Sequence, residues 1–246
     1  MIGEMSKIIL IVDYNNIFIA DNYSAKEIEL TLKEVVNQAL QTSDKVNEIQ
    51  IRIYEGWYQN EKLTDRGSSI MAKFAHIEPF PNVYEGRSIV GKIDFVEQMY
   101  GIDFSWRNTY REKPGPRLII KKDVQRPHCP NNKDKCPVEL LAKFTKKKEK
   151  VCQVDGCNVN NMSIFSQYGQ KMVDTMMACD ILTYGEEEDT EAIYVLTDDV
   201  DLFPSMALCS RRNPNVKIFI GTKNNKHVQE CDVLNNYFGI STFLLV

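Results

Sequence analysis

Apolar residues run unbroken from Ile8 to Val12. The lack of alternation predicts a strand over Lys7–Val12 buried on both faces, as at the centre of a parallel sheet. Ser24 followed by Glu27 spells a capping box, and Ile28, Leu32, Val35, Val36, Ala39 and Leu40 then recur at helical spacing. Ile49, Ile51 and Ile53 alternate with Gln50 and Arg52, which predicts a second strand and an opening β-α-β unit. The middle of the chain is less regular. A helix is predicted over Thr64–Ala75 and a strand over Arg117–Val124, with Pro79, Pro81, Pro114, Gly115 and Pro116 marking irregular or sheet-edge segments between them.

Regular patterning returns at Gln170–Leu182, where Met172, Val173, Met176, Met177, Ile181 and Leu182 form a broad apolar helical face. A strand at Ala192–Leu196, a helix at Leu202–Cys209, a strand at Val216–Ile220, a helix at Cys231–Phe238 and a last strand at Ser241–Val246 complete the prediction. The alternation implies an α/β protein with a Rossmann-like three-layer α/β/α fold and a central, mainly parallel sheet. Ligands of such folds sit at the carboxyl ends of the strands. The 246 residues, 43% of them hydrophobic and 26% charged, are read as one domain over 1–246 with an insertion at about 106–160. The early apolar run is too short for a signal peptide or a membrane span, so a cytoplasmic protein with no membrane partner is expected. Seven cysteines without a secretion signal favour metal ligation or free thiols over a disulfide framework.

Acidic residues stand where the fold puts its ligands. Asp13 ends the first strand in Asp13-Tyr14-Asn15-Asn16, Asp198, Asp199 and Asp201 follow the strand Ala192–Leu196, and Asp174 lies in the first turns of the late helix. If the two strands are neighbours, Asp13, Asp199 and Asp201 meet at one sheet edge, where like charges are unfavourable without a cation between them. Oxygen donors without a nearby histidine suit Mg2+ or Mn2+ better than zinc. Singly each has a plainer use: Asp13 as a strand terminus, Asp198 or Asp199 as a helix cap, Asp174 as a solvated side chain. Their joint placement is what points to a site.

Three segments resemble the signatures of NYN domains, which belong to the PIN-like nuclease superfamily: Asp13-Tyr14-Asn15-Asn16, Lys171-Met172-Val173-Asp174, and Leu196-Thr197-Asp198-Asp199-Val200-Asp201-Leu202-Phe203-Pro204. The order matches, and the likeness spans nearly the whole chain apart from its middle. Asp198 stands where that family usually has glycine, and Val200 where it usually has serine. The resemblance implies a PIN-like fold, Asp13, Asp174, Asp199 and Asp201 as the metal-binding, catalytic acids, and Asn16 supporting the site or contacting phosphate. It also implies an endoribonuclease hydrolysing RNA to 5′-phosphate products. A metal held by these acids would polarise a phosphodiester oxygen and activate water. The spacing itself does not separate RNA from DNA. Asp180, six residues beyond Asp174, lies about 240° further round the helix and does not share its outlook.

Charge then divides the chain. The net charge is −4, but residues 106–150 hold 14 of the 30 basic residues and 5 of the 34 acidic ones, a local +9 that leaves −13 elsewhere. Lys143, Lys146, Lys147, Lys148 and Lys150 suit a phosphate backbone, with Trp106, Tyr110 and Phe144 available for base stacking; a solvated lysine face is the plainer alternative. Cys129, Cys136, Cys152 and Cys157 form two local pairs able to close a structural Zn2+ site, with His128 as an alternative ligand, and unligated thiols are the other reading. Cys179, Cys209 and Cys231 sit in apolar patterns, as core residues do. Gly86–Ile93 nearly spells a Walker loop but has Ile93 in place of the hydroxyl, and is read as coincidence. Two rival functions stay open beside the nuclease: a haloacid-dehalogenase-like phosphatase, which Asn15 disfavours because that position calls for a second acid, and a non-catalytic RNA-binding regulatory module. A homo-oligomer is left open.

Overall fold

The computed structural model describes residues 6–18, 23–112, 119, 120, 165, 166 and 168–245. The chain divides into two compact units, one formed by 1–109 with 171–246 and the other by Tyr110–Gln170. The first unit is built on six strands: β1 (Ser6–Asp13), β2 (Val46–Tyr54), β3 (Val90–Phe95), β4 (Thr190–Leu196), β5 (Lys217–Thr222) and β6 (Ser241–Leu244). They form one sheet in the order β6-β5-β4-β1-β2-β3, with every neighbouring pair parallel. β1 is buried along its whole length, which is why it reads as an unbroken apolar run.

Helices cover both faces of the sheet. Ile8, Leu10 and Val12 of β1 point to a layer that includes α1 (Ala25–Leu40) and α2 (Asp65–Phe74), where they pack in one cluster with Leu32, Val36 and Ile70. Ile9 and Ile11 point the other way, to α3 (Val173–Gly185) and α4 (Phe203–Arg212), with Met177, Ile181 and Met206. A fifth helix, α5 (Asn225–Phe238), adds Leu234 and Phe238 to that second layer. The result is an α/β architecture compatible with a Rossmann-like three-layer arrangement. Among the described residues no helix is long and apolar enough to cross a membrane.

Local chemistry sets the helix starts. Ser24 Oγ accepts the Glu27 N–H at 3.3 Å while Glu27 Oε2 accepts the Ser24 N–H at 2.7 Å, the capping box expected from the sequence. Thr64 Oγ1 accepts the Gly67 N–H at 3.0 Å and opens α2. The late helix begins at Val173 rather than Gln170, because Tyr168–Gln170 pairs antiparallel with Tyr110–Glu112 and Met172 takes a left-handed conformation (φ 68°). α5 begins six residues earlier than predicted.

The patterning missed β3 altogether. It is an edge strand with Val90 62% exposed, so its sequence Val-Gly-Lys-Ile-Asp-Phe carries no buried alternation. Gly91 of this strand has the Phe80 ring lying where a Cβ would stand, so the glycine serves packing. The near-Walker segment is therefore strand and hairpin, and Lys92 pairs with Asp94 at 2.9 Å. Of the predicted strand Arg117–Val124, Ile119–Ile120 pairs antiparallel with Phe165–Ser166 and the rest lies outside the described residues.

One buried ionic cluster ties α3 to β2. Asp180, 0% exposed, accepts from Arg52 through Nε at 2.9 Å and Nη2 at 2.6 Å, and from the Tyr54 hydroxyl and the Tyr100 N–H. Arg52 Nη2 also donates to the Gln98 carbonyl at 2.8 Å. Burial, then the Asp180 charge, pushes the Tyr54 phenol well above its ordinary value and keeps it a donor. Breaking such a pair from one side strands the other charge, whereas removing both costs little. Arg52→Met is expected to lower stability by about 3–5 kcal/mol, and Arg52→Met with Asp180→Leu to recover most of the loss, read as urea midpoints of the two variants.

Candidate functional site at the carboxyl edge of the sheet

The strand order reverses direction between β1 and β4: from β1 the chain builds outward through β2 to β3, and from β4 outward through β5 to β6. A crevice opens outside the carboxyl ends at such a switch point. Val12 pairs with Leu196 there, so the residues that follow each of the two strands emerge side by side.

Asp13 closes β1 and caps a single helical turn, Tyr14–Ile17. It continues the Ile9, Ile11 side of the strand, toward the α3 layer, and is 1% exposed. Its carboxylate accepts the Asn16 N–H at 3.3 Å, the Asn16 side-chain amide, and the Thr197 hydroxyl at 3.3 Å. Burial raises its pKa to about 6 against the opposing pull of the Asn16 hydrogen bonds, and the nearby negative charge of Asp174 pushes it the same way as burial. Asp174 sits in the first turn of α3 and is exposed. Asp13 and Asp174 therefore share one electrostatic environment, although 161 residues of sequence separate them.

Thr197 links Asp13 to the β4 turn. While its hydroxyl donates to Asp13, its Oγ1 accepts the Asp199 N–H at 3.0 Å. Asp199 in turn caps the turn Val200–Leu202, accepting the Asp201 N–H at 2.9 Å. Asp198 serves a different purpose: its Oδ1 accepts the Thr222 hydroxyl and the Lys223 N–H, the latter at 3.0 Å, and so pins this turn to the end of β5. That accounts for an aspartate at this position. Val200 is exposed.

Four of the five expected site residues are joined by hydrogen bonds or charge: Asp13 with Asn16, with Asp174 and, through Thr197, with the Asp199 backbone. Asp201 joins by its backbone, with an exposed side chain. Among the described residues no three His, Cys, Asp or Glu side chains stand close enough to hold one ion. Asp13 and Asp174, which feel each other's charge, and Asp199 on the turn after β4 all offer carboxylate oxygens, the donor type a hard divalent cation takes.

Several residues of the edge carry no sequence signal of their own. Thr197 follows a strand in an unremarkable way. Glu55, just past β2, is buried and accepts the Gly56 N–H at 3.0 Å and Arg66 Nη1 at 3.0 Å. Arg66 Nη2 donates to Asn15 Oδ1 at 3.1 Å. Lys223 Nζ donates to the Tyr23 hydroxyl at 2.8 Å. Asp180 is turned inward to Arg52, consistent with its angular distance from Asp174. Cys209 is a buried core thiol pushed up to about 11, mainly by burial, and Cys179 is half-buried. Cys129, Cys136, Cys152, Cys157, His128, Lys143, Lys146, Lys147, Lys148, Lys150 and Phe144 lie outside the described residues, as does the side chain of Cys231. Trp106 is partly buried in the α3 layer, edge-on to the exposed Phe104. Comparison of the chain with family models, with curated proteins and with solved structures finds no match in any of the three.

The raised pKa of Asp13 makes stability depend on pH. Unfolded, an aspartate titrates near about 3.9, so from roughly pH 4 to 6 the folded chain holds a proton that the unfolded chain releases. Stability contributed by the neutral form is complete below that window and lost as pH rises through about 6. Asp13→Asn in the presence of chelator is expected to be about 1–2 kcal/mol more stable than wild type at pH 8 and equal to it near pH 4, by urea denaturation. A variant less stable than wild type at pH 8 would show that the hydrogen bonds of the carboxylate outweigh its desolvation.

Proposed function

We propose that the protein is a metal-dependent nuclease of NYN or PIN-like type that hydrolyses phosphodiester bonds, with RNA as its substrate. The observation that carries this reading is Asp13: a desolvated carboxylate at the switch point of a parallel sheet, coupled by charge to Asp174 and by Thr197 to Asp199. Burying a carboxylate beside another negative charge is unfavourable, and either a proton or a bound cation relieves it. Mg2+ or Mn2+ would be held by Asp13, Asp174 and Asp199, with Asp201 adjoining. Bound there, such an ion supplies Lewis-acid polarisation of a phosphodiester oxygen and a lowered pKa for a water molecule. Asn16 and Thr197 hold the Asp13 carboxylate in orientation, and the capped turn holds Asp199.

Incubation with single-stranded and structured RNA and DNA in Mn2+, Mg2+ or chelator tests this. Metal-dependent cleavage of RNA is expected, reduced at least about 100-fold in Asp199→Asn and Asp174→Asn. Cleavage that survives chelator and both substitutions would remove the metal-site assignment. A second reading, nucleic-acid binding without cleavage, rests on Asp198 and Val200, which stand where the resembled family usually has glycine and serine. Binding with no cleavage in either metal would select it. The phosphatase reading has less support, because the second position after Asp13 is Asn15, whose side chain accepts from Arg66.

For the basic segment we propose that the two cysteine pairs hold a structural zinc, which would staple a lysine-rich stretch with little apolar material of its own. Freshly purified protein is expected to contain about one zinc per chain by elemental analysis, lost on replacing Cys129 and Cys152 by serine.

A further inference from the structure

The acids of the crevice lean toward one helical layer, and the opposite layer carries two cations placed at either end of the same turn. Arg66, in the first turn of α2, donates to Asn15 Oδ1 at 3.1 Å, two residues beyond Asp13. It is held there by the buried carboxylate of Glu55 at 3.0 Å, and its side chain remains 31% exposed. Lys223, the first residue past β5, stands at the other end. Its N–H is fixed to Asp198 at 3.0 Å, and its ammonium lies 4.3 Å from the Tyr23 ring centre and 5.4 Å from that of Phe18. Phe18 ends the Asp13 turn, its N–H donating to the Tyr14 carbonyl at 2.8 Å. Phe18, Tyr23, Ile70 and Phe74 all belong to the α1–α2 layer, across the sheet from Asp174.

Both cations are anchored before any ligand arrives. Arg66 is positioned by an amide and a carboxylate, and Lys223 by a phenol and two ring faces, with the exposed Glu27 carboxylate also within reach of its charge. Anchoring lowers the entropy lost when a long cationic side chain grips an anion. A lone phosphate has no use for two cations at opposite ends of one turn, whereas a chain with a phosphate at every residue does.

We propose that Arg66 and Lys223 hold successive or near-successive phosphates of one single nucleic-acid strand laid along the Asp13 turn, with the acids facing the strand from the other layer. This rests on the phosphodiester reading of the same edge and adds to it the residues that position the substrate. Neither residue touches the reacting atoms; they set where the strand lies. The forked Arg66 guanidinium suits a phosphate in two-point contact, while the Lys223 ammonium acts as a point charge.

The test is binding without cleavage. The full chain in chelator is titrated against a fluorescent 12-nucleotide single-stranded RNA by anisotropy over a range of salt, with a 5′-mononucleotide as competitor. Lys223→Met is expected to weaken binding about 3- to 10-fold and to lower the salt slope by about one. The double change Glu55→Gln with Arg66→Gln, which leaves no buried carboxylate unpaired, is expected to do the same. Arg66→Lys, which keeps the charge, is expected to lose about threefold or less. Melting temperatures of all variants establish that they fold, and if the double variant does not, Lys223→Met decides. Affinity within twofold of wild type and an unchanged salt slope in Lys223→Met, or in the folded double variant, would overturn the proposal. Equal competition by the mononucleotide, mole for mole, would also overturn it, since that marks a single-phosphate site. Absence of cleavage in metal leaves a positive binding result intact, while intact cleavage with unchanged binding removes this inference alone.

Discussion

Every other element of the first unit takes its place from β1, which is paired along both edges and packed on both faces. Its two neighbours in the sheet, β2 and β4, come from parts of the chain some 140 residues apart. Burial of Ile8, Leu10 and Val12 on one side and Ile9 and Ile11 on the other demands a helical layer on each face. Because the strands on either side are parallel, all their carboxyl ends open onto one edge. Asp13 is the first polar side chain after this run, so it is carried to the centre of that edge and into burial at once. Its raised pKa follows from that position, as does its dependence on Asn16 and Thr197 for hydrogen bonds.

The charges around Asp13 are sorted by layer. The Asp174 charge acts on it from the α3 side, and cations flank its turn, Arg66 at Asn15 and Lys223 beside Phe18. This arrangement gives the net charge of −4 little meaning as a guide to partners. On the proposed nuclease reading, a polyanion would meet the cations and a divalent ion would meet the acids at one sheet edge. The buried Arg52–Asp180 pair joins β2 to α3, the helix that carries Asp174 in its first turn.

Much of this was legible in the residues. Continuous burial of β1, the capping box before α1, and the alternation in β2 are local signals read at short range, and the structure reproduces them. Asp13 and Asp199 were legible because strand ends in such folds are where ligands gather. β3 was not, because an exposed edge strand has no face that must be apolar. The α3 start was misplaced because Tyr168–Gln170 finds a partner in Tyr110–Glu112, a pairing between segments 56 residues apart that no window around Gln170 contains.

The sequence by itself determined that strands and helices alternate, which face of each helix is apolar, and that acids follow the first and fourth strands of the sheet. Those are properties of spacing and side-chain chemistry within a few turns of chain. Tertiary structure alone decided that β4 lies beside β1, that Thr197 bridges Asp13 and Asp199, and that Arg66 and Lys223 stand at opposite ends of one turn. It also decided that Asp198 is an anchor for β5 and Asp180 an internal counter-ion. Each of these depends on which distant segments share an edge or a face, and the free energy that selects them comes from burial summed over the whole core, to which no single residue's identity is a guide.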